Sequence, residues 1–271
     1  MPGLYKVRVC AVGTEEDMLL LNRTLLENVD EFEIPEDRPP YSVKELHDAV
    51  LRYAAYEKGE GSTMVYPMIT PHAFGHAEQI SYEMLRLDDT LYAALFAYEC
   101  TDGFQQEDWL RLHKRCGLLP FFALYAGSDY AQPKGEMSFC NGQVSESWNR
   151  MAAAWMFLFE DYEAGLVDED AVARLKEIEK QLKDTAIDTE DGIAALLNDC
   201  VTNLEQCAAG LTVTGAQLQA AIDAKDFVLQ LKLQRQVADA LLWDCARNAR
   251  RLACLNYTLA SWKDRDQNAL F

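Results

Sequence analysis

The 271-residue chain reads as an α+β protein: an antiparallel sheet domain with helices over residues 1–145, then an all-α helical bundle over 146–271. Two observations carry that expectation. All eight prolines lie at or before Pro133, and residues 134–271 contain none. Proline marks turns and strand edges and is poorly tolerated inside helices, so its disappearance marks a change of architecture. The strand-like runs are also confined to the first part, whereas helical spacing of apolar residues dominates the second.

The expected strands are residues 5–12 (YKVRVCAV), 91–98 (LYAALFAY), 119–126 (LPFFALYA) and 136–140 (EMSFC). The last runs into Asn141-Gly142, a hairpin turn pair. Between them lie helices. Thr14 with Asp17 three residues on makes a helix start, and Met18, Leu21, Leu25 and Leu26 then give one apolar face. Residues 107–116 repeat the form, with Trp109 and Leu112 inward and Gly117 as the stop.

From residue 145 the pattern predicts helix throughout. Ser147 caps a helix carrying Trp148, Met151, Trp155 and Phe159, closed by Gly165. Asp168 opens a second, with Val172, Leu175, Ile178 and Leu182. Thr189 opens a third, with Ile193, Leu197, Val201 and Leu204, ending near Gly210. The last follows Thr214-Gly215, with Leu218, Ile222, Leu229, Leu233, Val237 and Leu241 on one face, continued by Cys245, Leu252 and Leu259. Unbroken over 216–262 it would span about 70 Å, so a break is expected near 223–226.

The order strand, helix, connecting segment, strand, helix, strand, strand is that of a ferredoxin-like sheet with helices on one face. The segments MPGLYKVRVCAVGTEEDMLLLNRTL and LFAYECTDGFQQEDWLRLHKRCGLLPFFALYAGSDYAQPKGEMSFCNGQV resemble, over residues 1–145, the YubB/Api92-like ferredoxin-like family of plasmid and phage proteins. That family carries a Trp-Gly-rich middle segment and a Trp-Ser-Pro-Pro-type strand end. Here the corresponding stretches, PHAFGHAEQISYEML and AYECTDGFQQ, lack those tryptophans. The resemblance implies mobile-element ancestry rather than a reaction.

Charge narrows the partner. Twenty-five Lys and Arg against 44 Asp and Glu leave −19, which repels phosphate and anionic lipid. Direct nucleic-acid binding and membrane association are therefore disfavoured. No run of 18 apolar residues suggests a membrane span, MPGLYKVRVC lacks the apolar run of a secretory signal, and a cytoplasmic location is expected. The eight cysteines form no CxxC pair, and most sit among apolar neighbours. Cys10, Cys140 and Cys254 are expected to be buried thiols.

Catalytic signals are absent from the sequence pattern: there is no GxSxG, GxGxxG or P-loop. Cys116 beside His113, Lys114 and Arg115 is an electropositive thiol, but it ends a helix, where the dipole disfavours thiolate. No metal or other cofactor is expected. The alternative is His72 and His76, an HxxxH pair that Gly75 interrupts, with Glu78 close by.

Acidic clustering is the clue to function. Residues 146–205 hold 15 acidic and 5 basic side chains, and residues 15–48 hold 11 and 3. Glu160, Asp161, Glu163, Asp168, Glu169 and Asp170 flank the Gly165 turn. So many carboxylates cannot all be buried, since each unpaired buried charge costs several kcal/mol, and they form a solvated ridge. A solvated face serves solubility; as a binding surface it would steer a basic partner. The expected function is a non-enzymatic mobile-element accessory protein that binds a basic host protein and inhibits a nucleic-acid-binding defence complex. The alternatives are an enzyme with a site between sheet and bundle, and a nucleic-acid binder using Arg247, Arg250 and Arg251.

Overall fold

The computed structural model describes residues 5–26, 41–56, 78–100, 106–127, 134–148 and 190–268. It is α+β. Six strands, β1 (Tyr5–Gly13), β2 (Glu78–Arg86), β3 (Tyr92–Cys100), β4 (Phe121–Gly127), β5 (Lys134–Cys140) and β6 (Gln143–Trp148), form one sheet in the order β2-β3-β1-β4-β5-β6. Every neighbouring pair is antiparallel. Helices α1 (Glu15–Leu26) and α2 (Val43–Tyr56) follow β1, and α3 (Gln106–Arg115) links β3 to β4.

Strand β1 lies between β3 and β4, and its alternation divides the interior in two. Val7, Val9 and Ala11 enter a core with Leu21 and Leu25 of α1, Leu46 of α2 and Trp109 of α3. Cys10 and Val12 enter a second core on the opposite face, with Leu204, Val237 and Leu252. Residues 9–12 are all buried, the near-continuous apolar signature of a strand covered on both faces.

Local chemistry accounts for the helix starts. Thr14 N–H donates to Asp17 Oδ2 at 2.8 Å, the expected start of α1. Ser42 and Glu45 close a reciprocal box at the start of α2, with Ser42 N–H to Glu45 Oε2 at 2.8 Å and Glu45 N–H to Ser42 Oγ at 3.2 Å. Tyr82 of β2 stacks on Phe96 at 4.5 Å between centroids and donates to Asn22 Oδ1 at 2.9 Å. It joins β2 to α1.

The helix expected from residue 145, with Ser147 as its cap, is corrected by β6, which crosses the 145/146 boundary and pairs Ser147 with Glu136. The cause is the turn. Asn141 (φ 53°) and Gly142 (φ 75°) both take left-handed backbone, which returns the chain directly onto β5. Val144 then packs against the first core, and Tyr125 Oη donates to Glu146 on the same strand. The helices expected around Trp155 and Val172 lie outside the described residues.

Beyond residue 190 come α4 (Glu190–Ala208), a 3₁₀ turn (Ala209–Thr212), α5 (Gly215–Asp223), α6 (Phe227–Leu242) and α7 (Cys245–Asn268). The break expected near 223–226 is there. Lys225 is left-handed (φ 54°), with Lys225 N–H to Ile222 O at 2.9 Å and Asp226 N–H to Ala221 O at 2.9 Å, a Schellman closure. A second break, at Asp244 (φ 48°), is not marked by Gly or Pro and went unpredicted. Cys254, expected in the core, is exposed, because α7 turns Cys245, Asn248 and Leu252 inward instead. Cys10 is buried and Cys140 half-buried, both as thiols.

Polar contacts tie this helical layer to the sheet. Gln234 Nε2 donates to Val12 O at 2.8 Å, and Gly215 N–H donates to Asp88 Oδ2 at 2.5 Å. A methyl group on Gly210 would meet the Gln236 carbonyl oxygen at 1.8 Å, so only glycine lets the 3₁₀ turn lie on α6.

Asp88, in the β2–β3 connection, accepts from Gly215, Thr90 and Leu91 N–H groups, and these bonds, that from Gly215 first, hold its carboxyl below the ordinary value. A depressed carboxylate adds stability above its unfolded pKa and loses it as pH falls through the folded one. We therefore expect Asp88→Asn to lower urea stability at pH 7, and the gap to wild type to narrow as pH falls below about 4. A gap that is constant or widens on acidification would show that the ionised form does not hold α5.

Candidate functional site

The arginine trio does not form one surface. Arg247 lies on α7 with Nη1 3.6 Å from Asp244 Oδ2, and Arg250 is exposed. Arg251 is only 8% exposed, and its Nη1 donates to Asn248 Oδ1 at 2.9 Å. Asn248 in turn donates from Nδ2 to Trp243 O, the carbonyl at the second helix break. The three are clustered in the sequence, but the third member belongs to the α6–α7 corner. Glu160, Asp161, Glu163, Asp168, Glu169 and Asp170 lie outside the described residues, as do His72 and His76. Among the described residues no group of three or more His, Cys, Asp or Glu side chains is placed to hold a metal ion. Nor, among them, is any helix long and apolar enough to cross a membrane.

Two charged or titratable constellations look chemical and prove to be structural. Arg235 of α6 pairs with Glu136 of β5 and with Asp239 at 2.7 Å, donates to Ser138 Oγ at 2.9 Å, and stacks over Phe122 at 5.2 Å. Burial pulls the Arg235 guanidinium down, but Asp239 and then Glu136 outweigh it and raise it overall. Burial raises the Asp239 carboxyl, with Arg235 opposing. A guanidinium that spreads its donors over Glu136, Ser138 and Asp239 while stacked on Phe122 pins a helix to a sheet. His113, the group beside Cys116, is buried. Gly142 N–H donates to its Nε2 at 2.9 Å, so Nδ1 carries the proton and donates to Leu119 O at 2.7 Å. With both ring nitrogens engaged by backbone, it latches α3 to the β5–β6 turn and is no base for the thiol.

The feature that stands out on the surface is the α5–α6 corner. Phe227 is 74% exposed, Val228 81% and Leu229 41%, three consecutive apolar residues in the first turn of α6. The corner is firmly built. Thr214 and Gln217 form a capping box on α5, and Asp226 Oδ1 accepts from Leu229 N–H at 3.0 Å. Leu229, expected on the inward face, is therefore a correction: the closure at Lys225 restarts the helical phase, and the inward stripe begins later, at Gln234, Val237 and Ala238. The signal was in the sequence. At 100° per residue, three successive apolar side chains cannot all point into one core.

No protein-family model, curated protein or solved structure matches the chain.

The placement of the arginines is testable by stability. Arg251→Ala should cost about 1–3 kcal/mol in urea unfolding, since it strips a buried bonded group, while Arg250→Ala should stay within about 0.5 kcal/mol of wild type. Equal, small effects would put Arg251 at the surface with its neighbours.

Proposed function

We propose that the chain is a non-enzymatic accessory protein of plasmid or phage type that binds a basic host protein. The observation that carries this reading is the exposed Phe227-Val228-Leu229 corner on a chain of net charge −19. Three consecutive exposed apolar residues in a capped helix are unfavourable in water unless a partner covers them. An aromatic side chain on a rigid scaffold is the usual anchor of a protein interface. The charge selects the class of partner: a basic surface is drawn in, and phosphate or anionic lipid is repelled. In its sharpest form the partner is a nucleic-acid-binding defence complex whose phosphate channel receives the acidic segment containing Glu160, Asp161, Glu163, Asp168, Glu169 and Asp170. Such a partner implies a cytoplasmic site of action.

The fold reading belongs to the same proposal. The succession β1, the α1–α2 connection, β2, β3, α3 and β4, with the strand order β2-β3-β1-β4, supports reading this part as the split βαβ plan of a ferredoxin-like unit. The β5–β6 hairpin widens it. The helices beyond residue 190 then belong to a C-terminal bundle, supported by the second core that Leu197, Leu204, Val237 and Leu252 share. The arginine alternative has no such support, because Arg251 is buried.

The test uses the intact protein as bait in a bacterial host lysate, then measures association and dissociation with the partner it retains. Phe227→Ala with Val228→Ser should speed dissociation at least about tenfold, as loss of a hot-spot anchor does. Reversing Glu160, Asp161 and Glu163 to lysine should instead slow association and flatten its salt dependence. Circular dichroism controls for folding. If both well-folded variants hold the partner as wild type does, or the retained proteins are acidic, the reading fails.

A further inference from the structure

Where the end of α6 meets the start of α7, the helical layer leaves a cavity of about 490 Å³ over the β1–β3–β2 side of the sheet. Strand register sets its floor. Arg8 of β1 lies opposite Ala97 of β3, which lies opposite Ser81 of β2; in the next row of the same face stand Cys10, Leu95 and Glu83. Side chains of both rows point to the helical layer, because residues two apart share a sheet face. Ala97 is the small residue in a row that otherwise holds Arg8 and Ser81, and its lack of bulk keeps the space open. Leu85 extends the floor, and Leu211 and Leu241 form apolar walls.

Arg8 is the cation on the sheet floor of this space. Burial pushes its pKa down, Asp244 pulls it up, and Arg247 pushes it down again. Among the described residues its side chain makes one hydrogen bond, from Nη1 to Leu242 O at 3.2 Å. The nearby Asp244 carboxylate is shared with Arg247, 3.6 Å away. A guanidinium carries five N–H donors in a planar fork that fits a carboxylate, so one carbonyl leaves most of that fork for the cavity. Glu83, Asp244 and Arg247 also line the space; the Arg247–Asp244 pair largely offsets itself, so a second negative charge on a ligand meets the Glu83 carboxylate.

We propose that this cavity binds a small monocarboxylate with an apolar body, its carboxylate on the Arg8 fork and its chain against Leu85, Leu95 and Leu211. The volume lies in the range of small-molecule sites, and the lining combines apolar side chains for a ligand's body with charged and polar groups that fix its orientation. The site is separate from the Phe227 corner and stands whether or not a protein partner exists.

Hexanoate, hexanamide and adipate, titrated separately into the full-length protein by calorimetry and ligand-observed NMR, test it. Hexanoate should bind saturably at one site per chain, with hexanamide and adipate each at least about tenfold weaker, the loss of a charge-assisted hydrogen bond or the addition of a repelled charge. Arg8→Gln should bring hexanoate down to the level of hexanamide. Because Arg8 also holds Leu242, Ala97→Leu provides the second variant: it fills the floor, leaves the guanidinium in place, and should abolish hexanoate binding with the thermal transition retained. No saturable hexanoate binding to wild type, equal affinity for acid and amide, or undiminished binding by a folded Ala97→Leu protein would each overturn the proposal.

Discussion

Burial of β1 on both faces is the constraint from which the rest of the architecture follows. A central strand has neighbours on either edge, so its backbone groups are paired by β3 and β4. Its side chains must then satisfy two interiors at once. Val7, Val9 and Ala11 require α1, α2 and α3 on one side; Cys10 and Val12 require a second layer on the other. Each fully buried aliphatic side chain contributes about 1.5–3 kcal/mol relative to exposure, so neither face could be left wet without a large loss. The helices beyond residue 190 supply the second layer.

A two-sided sheet needs its second layer in one position, and apolar contact alone does not set it. The seam is fixed by directional bonds: Gln234 to the Val12 carbonyl, Gly215 to Asp88, Arg235 to Glu136 and Ser138, and Arg8 to the Leu242 carbonyl. Net, each such bond is worth about 0.5–1.5 kcal/mol, more where a charge takes part. Their larger effect is geometric, because an alternative docking would strand the same groups in the interior without partners. Arg8 differs from the others. The others close contacts between layers, whereas Arg8 sits where the layers part and a cavity remains.

Legibility in the sequence followed the range of the interaction. The α1 start at Thr14, the α3 stop at Gly117 and the Asn141-Gly142 turn were readable because each is set within a few residues. The start of α2 was equally readable, since Ser42 and Glu45 form a capping box, yet it was missed among the neighbouring acidic residues. Strand β2 was hidden for a different reason. Its alternation is broken by a register shift between Glu78 and Ser81, and among residues 81–86 only Tyr82 is fully buried, on a side that depends on Phe96 and Asn22. The break at Asp244 has no local signal, because a non-glycine residue is held left-handed there by the packing of Trp243 and Asn248. Arg251 was misplaced for the same reason: its burial depends on that corner, which proximity in the sequence does not show. Of the candidate surfaces, the charge was plain in the composition and the apolar corner was written in three consecutive residues, but the cavity exists only through strand register.

Sheet, seam and surface sites therefore stand or fall on the two layers unfolding as one body. Native-state hydrogen exchange resolves this directly, by comparing amides of Val9 and Ala11 in β1 with those of Val237 and Ala238 in α6 across low concentrations of denaturant. Amides that open only together share one opening free energy and one dependence on denaturant. The account predicts that these four report the same opening, equal to global unfolding. Exchange of the α6 amides through a separate, lower-energy opening while β1 stays protected would contradict it, and would make the helical layer an accessory to a sheet that folds without it.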